Sequence, residues 1–209
     1  HWLRENIMKV VIIGGVASGM SAAARLRRLD ETAEITVYEM SENVSYANCG
    51  LPYFVSDVIA KREALLLQTP EALWNRFRIL AKVQSKVTSI NRESKTVTVK
   101  NLATGETYED HYDKLVISTG ARPRRLDIPG IERAMWLRNV TDADDVKAAL
   151  LTAENKSVAI IGAGFIGIEL AENIRHMGIP VTIIQRSNSI LGQFDPEMVQ
   201  PLHEVLEKH

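Results

Sequence analysis

Three short stretches of this 209-residue chain hold side chains whose types and spacing could do chemistry. Gly14-Gly15-Val16-Ala17-Ser18-Gly19 follows the apolar run Lys9 to Ile13, and Gly162-Ala163-Gly164-Phe165-Ile166-Gly167 follows Ser157 to Ile161. Where a strand turns sharply into a helix through small residues, the backbone can approach a pyrophosphate. The helix N-terminus then offers it free N–H groups and the positive end of a dipole. Such a turn suits a dinucleotide. Gly162, Gly164 and Gly167 match the three-glycine fingerprint in full, whereas Gly14 and Gly19 match its ends with Val16 at the middle place. A tight turn with no ligand is the plain alternative for either one. Two copies of the same plan, 148 residues apart, weigh against it.

The third stretch is Ser45-Tyr46-Ala47-Asn48-Cys49-Gly50-Leu51-Pro52-Tyr53, which holds the one cysteine of the chain. A lone cysteine is usually a small buried hydrophobe. Here it immediately precedes a predicted helix with Pro52 in its first turn, and a helix N-terminus favours a thiolate over a thiol. The end of each second strand should address a ribose. Glu39, followed by Met40, stands there in the first unit, and a carboxylate accepts hydrogen bonds from ribose hydroxyls. In the second unit the place holds Gln185 and Arg186. Without the acid a 2′-phosphate is not repelled, and the arginine supplies it a charge-assisted partner, so NADPH is expected over NADH.

The elements that must position these residues follow from periodicity. Lys9 to Ile13 is a continuous β-branched run of the kind buried on both faces of a parallel sheet. Met20 to Leu29 is rich in Ala, Leu and Arg and is predicted helical, and Glu34 to Tyr38 is predicted as the next strand. In the second copy, Ile168 to Met177 is the helix, stopped by Gly178, and Val181 to Ile184 the strand. Between the copies, Thr69-Pro70-Glu71 opens a short capped helix. Val83 to Tyr108, split at Asn91-Arg92-Glu93 and Ala103-Thr104-Gly105, reads as an antiparallel meander. Lys114 to Ser118 is a further strand, Asp142 to Leu151 a connecting helix, and Pro196 to Lys208 a helical stretch. The expected fold is α/β: two Rossmann-like, doubly wound three-layer units with a small antiparallel meander inserted in the first.

Composition narrows the function classes. A net charge of −1 argues against a general nucleic-acid binder. No apolar run approaches the ~20 residues that span a bilayer, so no membrane association is expected. A single cysteine excludes an internal disulfide framework and fits a reducing cytoplasm. No metal site is assigned. His1 to Ile7 is expected to be leader sequence outside the fold, residues 8–153 a first dinucleotide-binding domain that is incomplete, and residues 154–209 a second, truncated one.

The run SYANCGLPY after GGVASGMSAAARLRR resembles the coenzyme A-disulfide reductase branch of the FAD-dependent pyridine nucleotide-disulfide oxidoreductases, which shares a single redox cysteine with NADH oxidases, peroxidases and persulfide reductases. The resemblance extends from Met8 to His209. It includes Ser118-Thr119-Gly120, similar to a short motif at the family's crossing between domains, and it accounts for Val16. It implies FAD on Gly14, Gly15, Ala17, Ser18, Gly19, Glu39, Met40, Thr119 and Gly120, and NADPH or NADH on Gly162, Gly164, Phe165, Ile166, Gly167, Glu169, Gln185 and Arg186. Cys49 becomes the redox centre, with Ser45 and Asn48 lining a site for a small thiol or disulfide. Arg25 and Arg28, at i and i+3 on one helix face, are implied near the phosphates of coenzyme A; a solvated basic face is their plain alternative. Phe165 resembles the aromatic that covers the flavin until nicotinamide displaces it, and Glu169 the acid beside it, against ordinary helix packing and a solvent-facing acid.

Two thiol chemistries remain open. Cys49 could form a mixed disulfide with its substrate, or cycle through sulfenic acid as in an oxidase or peroxidase. The second copy shows two strands and a helix with no third parallel strand, so the chain is expected to match the N-terminal portion of a longer, homodimeric enzyme. A nucleotide-binding fragment without turnover, and a redox sensor on Cys49, are the rival readings.

Overall fold

The β-branched run Lys9–Ile13 forms β1, with Val10 through Ile13 buried, as an inner strand of a four-stranded parallel sheet. The computed structural model describes residues 7–152 and 157–208. Most of the expected leader, and the expected domain boundary at 153/154, lie outside these residues. The chain divides into two compact units, each described by itself. The first comprises residues 1–47 and 66–122, the second residues 48–65 and 123–209.

In the first unit the strand order is β3 (Ile79–Lys82), β2 (Glu34–Tyr38), β1 and β7 (Lys114–Ile117), with Val10 opposite Ile35 on one side and Lys114 on the other. Alternation along β1 separates two cores, as period-two side chains must. Val10 and Ile12 join Ile35, Val37 and Ile79 beneath α1 (Ala17–Leu29) and α3 (Pro70–Phe77). Val11 and Ile13 face Val97 and Val99 of the meander β4 (Ser85–Asn91), β5 (Thr96–Asn101) and β6 (Thr107–His111). The meander is antiparallel, with Asn91 and Asn101 accepting backbone N–H groups in its two turns, as the sequence suggests.

Strand β3 departs from the sequence reading, which starts the meander at Val83. Arg78 and Gln84, both in the left-handed region at φ 51° and 48°, isolate Ile79–Lys82 as a separate parallel strand. Neither is glycine, so no turn residue advertises the breaks. The expected cap of α3 is present: Thr69 Oγ1 accepts from Ala72 N at 3.2 Å, with Pro70 in the first turn.

The second unit contains α2 (Leu51–Val55), α4 (Val140–Thr152), β8 (Val158–Ile161), α5 (Phe165–His176), β9 (Val181–Ile184) and α6 (Pro196–Lys208). Among the described residues β8 and β9 pair in parallel as a two-stranded sheet. The short α2 packs on α4 and α5. Lys147 Nζ lies 4.1 Å from the Phe54 ring centroid and 2.6 Å from Asp57, Arg62 pairs with Asp144 at 2.9 Å, and Ser56 bonds Asn173. The architecture is the expected mixed α/β one, with a parallel sheet in each unit and the antiparallel meander in the first.

Candidate functional site

The two glycine turns are built by the same bonds. Gly14 N donates to Tyr38 O at 2.8 Å, and Gly162 N donates to Ile184 O at 2.9 Å, so each turn is hung from the end of the neighbouring strand. Gly14 and Gly162 have φ of +101° and +108°, a region that L side chains rarely enter. A Cβ on Gly19 would lie 1.8 Å from Gly14 O, and one on Gly167 2.1 Å from Gly162 O, so the final glycine of each turn lets the helix close onto the strand end. Neither α1 nor α5 has a side-chain cap at its N-terminus; Val16 and Gly164 occupy the cap positions. Uncapped helix starts above a small-residue turn are what a pyrophosphate requires. Ala17 and Ser18 in the first turn, and Gly164, Phe165 and Ile166 in the second, are exposed.

At the end of each second strand the matching side chain reaches back to its turn. Glu39 is buried; its Oε2 accepts from Gly15 N and its Oε1 from Ser41 N, both at 2.8 Å. A carboxylate has about four acceptor positions, so capacity for a ribose remains. Gln185 Oε1 accepts from Ala163 N at 3.1 Å, and its Nε2 donates to Ser187 Oγ and Ser189 O. Arg186 and Met40, the next residues in the two units, are exposed. A further equivalence is invisible in the sequence. Ser45 N donates to Gly15 O and Leu191 N to Ala163 O, both at 2.8 Å, and these two residues share left-handed φ values of 48° and 46°.

The remaining expected residues lie at several places within their units. Ser118 O is 2.1 Å from where a Gly14 Cβ would stand, and Thr119 N is 3.3 Å from it, so the 118–120 motif is laid against the first turn. Gly120 has φ of +64°. Arg25 and Arg28 lie exposed on α1. Between them in sequence, Arg27 uses all five guanidinium N–H groups on the carbonyls of Asp30, Glu31, Ala33, Phe77 and Arg78. It fastens α1 to the end of α3, a structural role the sequence reading missed.

Cys49 is exposed in the tight turn Asn48–Gly50 that leads into α2, and Pro52 is in the first turn of that helix. Beside it, the Oδ1 of Asn48 is buried with no hydrogen-bond partner among the described residues. Buried acceptors are nearly always paired, so this one is a place for a donor. On α5, Glu169 is half-buried and its carbonyl accepts from Asn173 Nδ2 at 2.8 Å; the buried Asn173 Oδ1 accepts from Ser56 Oγ at 2.6 Å. Phe165, 55% exposed, meets the 48% exposed Phe194 edge to face at 5.9 Å. Asn173, Ser56 and Phe194 were not singled out from sequence, because nothing local marks them.

The family model for pyridine nucleotide-disulphide oxidoreductases matches residues 8–209, nearly the whole chain. The chain belongs to this family. A coenzyme A disulfide reductase of Staphylococcus epidermidis is 37% identical over 200 residues, covering 96% of this chain and 45% of that protein. The chain therefore spans a little under half the length of the curated relatives it matches. Reduced CoADR-RHD of Bacillus anthracis superposes with a TM-score of 0.94 at 46% identity, over 97% of this chain and 37% of that one. An engineered water-forming NADPH oxidase bound to NADPH, derived from the NADH oxidase of Lactobacillus brevis, superposes at 0.89 with 30% identity, over 97% of this chain and 45% of that one. Family membership is what the resemblance in SYANCGLPY implies, and it carries the mixed α/β fold seen here. No described helix is long and apolar enough to cross a membrane.

Proposed function

We propose that the chain is the nucleotide-binding portion of a cytoplasmic FAD-dependent NAD(P)H:disulfide oxidoreductase, with coenzyme A disulfide or a related low-molecular-weight disulfide or persulfide as substrate. The observation that carries the reading is the exposed Cys49 thiol beside the unpartnered buried Oδ1 of Asn48, in a chain with two matching dinucleotide turns. FAD fits the first turn, held by Gly14, Gly15, Ala17, Ser18, Gly19, Glu39, Met40, Thr119 and Gly120. NADPH fits the second, on Gly162, Gly164, Phe165, Ile166, Gly167, Glu169, Gln185 and Arg186. Domains of residues 8–153 and 154–209, and a homodimeric parent enzyme, belong to the same reading.

The thiol chemistry is a two-step exchange. Cys49 thiolate attacks one sulfur of the substrate disulfide, forming a mixed disulfide and releasing the other half as thiolate. Two electrons and one proton then return Cys49 to thiolate and free the second half as thiol. Bound NADPH and FAD supply those electrons. Asn48 Oδ1 accepts a donor from the substrate, Ser45 lines the same thiol site, Phe165 yields its place to nicotinamide, and Arg25 and Arg28 meet the phosphates of a coenzyme A half.

Support for NADPH over NADH comes from Gln185-Arg186-Ser187. The engineered NADPH oxidase carries five replacements, and three consecutive ones, Asp to Ala, Ala to Arg and Met to Ser, make a like loss of acid and gain of Arg-Ser. The likeness to that oxidase also favours a second reading, in which Cys49 cycles through sulfenic acid and the final acceptor is oxygen or peroxide.

The test begins with the visible spectrum of the purified protein and anaerobic NADPH, with Cys49→Ser alongside. A flavin band that bleaches with NADPH supports both nucleotide sites. Coenzyme A disulfide, peroxide and oxygen, added in turn, then separate the two readings. A colourless protein that FAD does not reconstitute sinks the claim of activity and leaves a nucleotide-binding fragment. Reversible Cys49 oxidation without NADPH consumption would mark a sensor instead.

A further inference from the structure

We infer that Phe194 is a positioning residue for nicotinamide nucleotide binding, acting through the ring of Phe165. The inference rests on the proposed assignment of NADPH to the 162–167 turn and on the proposed yielding of Phe165 to its nicotinamide. Phe165 is the first residue of α5 and is about half exposed, directly after the turn residue Gly164. Two aromatic rings, each about half exposed, are not there to fill a core. Their planes cross at 88° with centroids 5.9 Å apart, the edge-to-face arrangement that ring quadrupoles favour.

Phe194 is held by a pinned loop. Its N–H donates to Leu191 O at 2.9 Å, Leu191 N–H donates to Ala163 O at 2.8 Å, and Ile190 and Leu191 are buried against Ala163 and Val199. The same loop begins at Gln185 and Arg186, and Gln185 is bonded to Ala163 N. One loop, fastened at two points to the second residue of the turn, thus carries the charge placed for the adenosine end and the aromatic that props Phe165. A nucleotide whose nicotinamide displaces the Phe165 ring must break the ring pair. The pair therefore stabilises the nucleotide-free arrangement and opposes binding by the worth of one aromatic contact, about two- to twelvefold in affinity.

Isothermal titration of the flavin-loaded protein with the redox-inactive tetrahydro analogue of NADPH reads this directly. Phe194→Ala is expected to tighten binding about two- to twelvefold. Phe194→Leu, which keeps apolar bulk without the ring geometry, is expected to show a smaller gain. In a Phe165→Ala background, Phe194→Ala should change nothing further. Unchanged or weaker binding by Phe194→Ala, or a gain that persists without Phe165, overturns the inference. Thermal melts by circular dichroism accompany each variant, and Phe194→Leu carries the test if the alanine variant melts early. Wild-type protein that binds no analogue removes the assignment of the turn and the inference with it. Wild-type binding with no Phe194 effect removes the inference alone.

Discussion

Each of the two glycine turns can be probed through one residue whose place the geometry isolates. Gly14 combines a φ of +101° with Ser118 O standing 2.1 Å from its missing Cβ. Gly14→Ala is therefore expected to cost about 2–4 kcal/mol, through backbone strain and overpacking together, and to weaken FAD retention. A urea denaturation series and the flavin-to-protein absorbance ratio check both halves. Arg186 is exposed and lies beside a glutamine already bonded to its turn, so its charge can act on a 2′-phosphate without reshaping the backbone. Arg186→Ala should raise KM for NADPH roughly 10- to 100-fold, the worth of a charge-assisted bond, and leave KM for NADH within about twofold. The places of Gly162 in a tight turn, Glu39 at a strand end and Cys49 before a helix were legible in the sequence, because residue type and position relative to a strand or helix fix them. Asn173, Phe194 and Arg27 were not, since each acquires its role from a partner distant in sequence.

Between elements, two polar contacts set how the segments pack. Ser56 and Asn173 form a buried bond that joins the segment after Cys49 to α5. Ser56→Ala leaves the buried Asn173 Oδ1 unsatisfied and is expected to cost about 1–3 kcal/mol. After Asn173→Leu the Ser56 hydroxyl can still donate to Tyr53 O at 3.2 Å, so the loss of this bond should cost less there. The double variant should cost less than the sum, which a double-mutant cycle in urea measures. In the first unit, Tyr38 donates to Asp110 at 2.7 Å, and Lys9 pairs with the same carboxylate, so the meander is tied to the parallel sheet. Burial pushes Asp110 up, but hydrogen bonds from Lys9 and Tyr38 outweigh it and hold its pKa below the usual carboxylate value. Burial, then the bond to Asp110, drives the Tyr38 hydroxyl up, so it stays a donor. A carboxylate depressed in the folded state stabilises fully above its unfolded value, and that stability is lost as pH falls through the folded one. Wild-type protein should thus lose stability from about pH 4 downwards, and Asp110→Asn should flatten that part of the urea-midpoint profile. Strand existence was readable from apolar runs, but β3 was not, because its ends are left-handed Arg78 and Gln84 rather than glycine.

For the molecule as a whole, the second unit leaves its two-stranded sheet with Ile161 and Ile184 about half exposed, at 50% and 51%. Apolar side chains displayed side by side on paired strands favour association. The 209-residue chain in isolation is expected to sediment as a concentration-dependent mixture, and Ile161→Lys with Ile184→Lys should shift it towards monomer. Analytical ultracentrifugation at a few protein concentrations decides this. FAD at a hundredfold excess over its Kd should add about 2.7 kcal/mol of stability and so raise the melting midpoint.

The paired bonds Glu39–Gly15 and Gln185–Ala163 have a consequence for how such chains diverge. In both, a side-chain oxygen at the strand end holds the turn's second amide, and an acid or an amide performs that task alike. The scaffold is thereby indifferent to the charge at this position. An exchange of acid for amide there changes the charge offered at the strand end while the hydrogen bond that shapes the turn, and the fold around it, stand still.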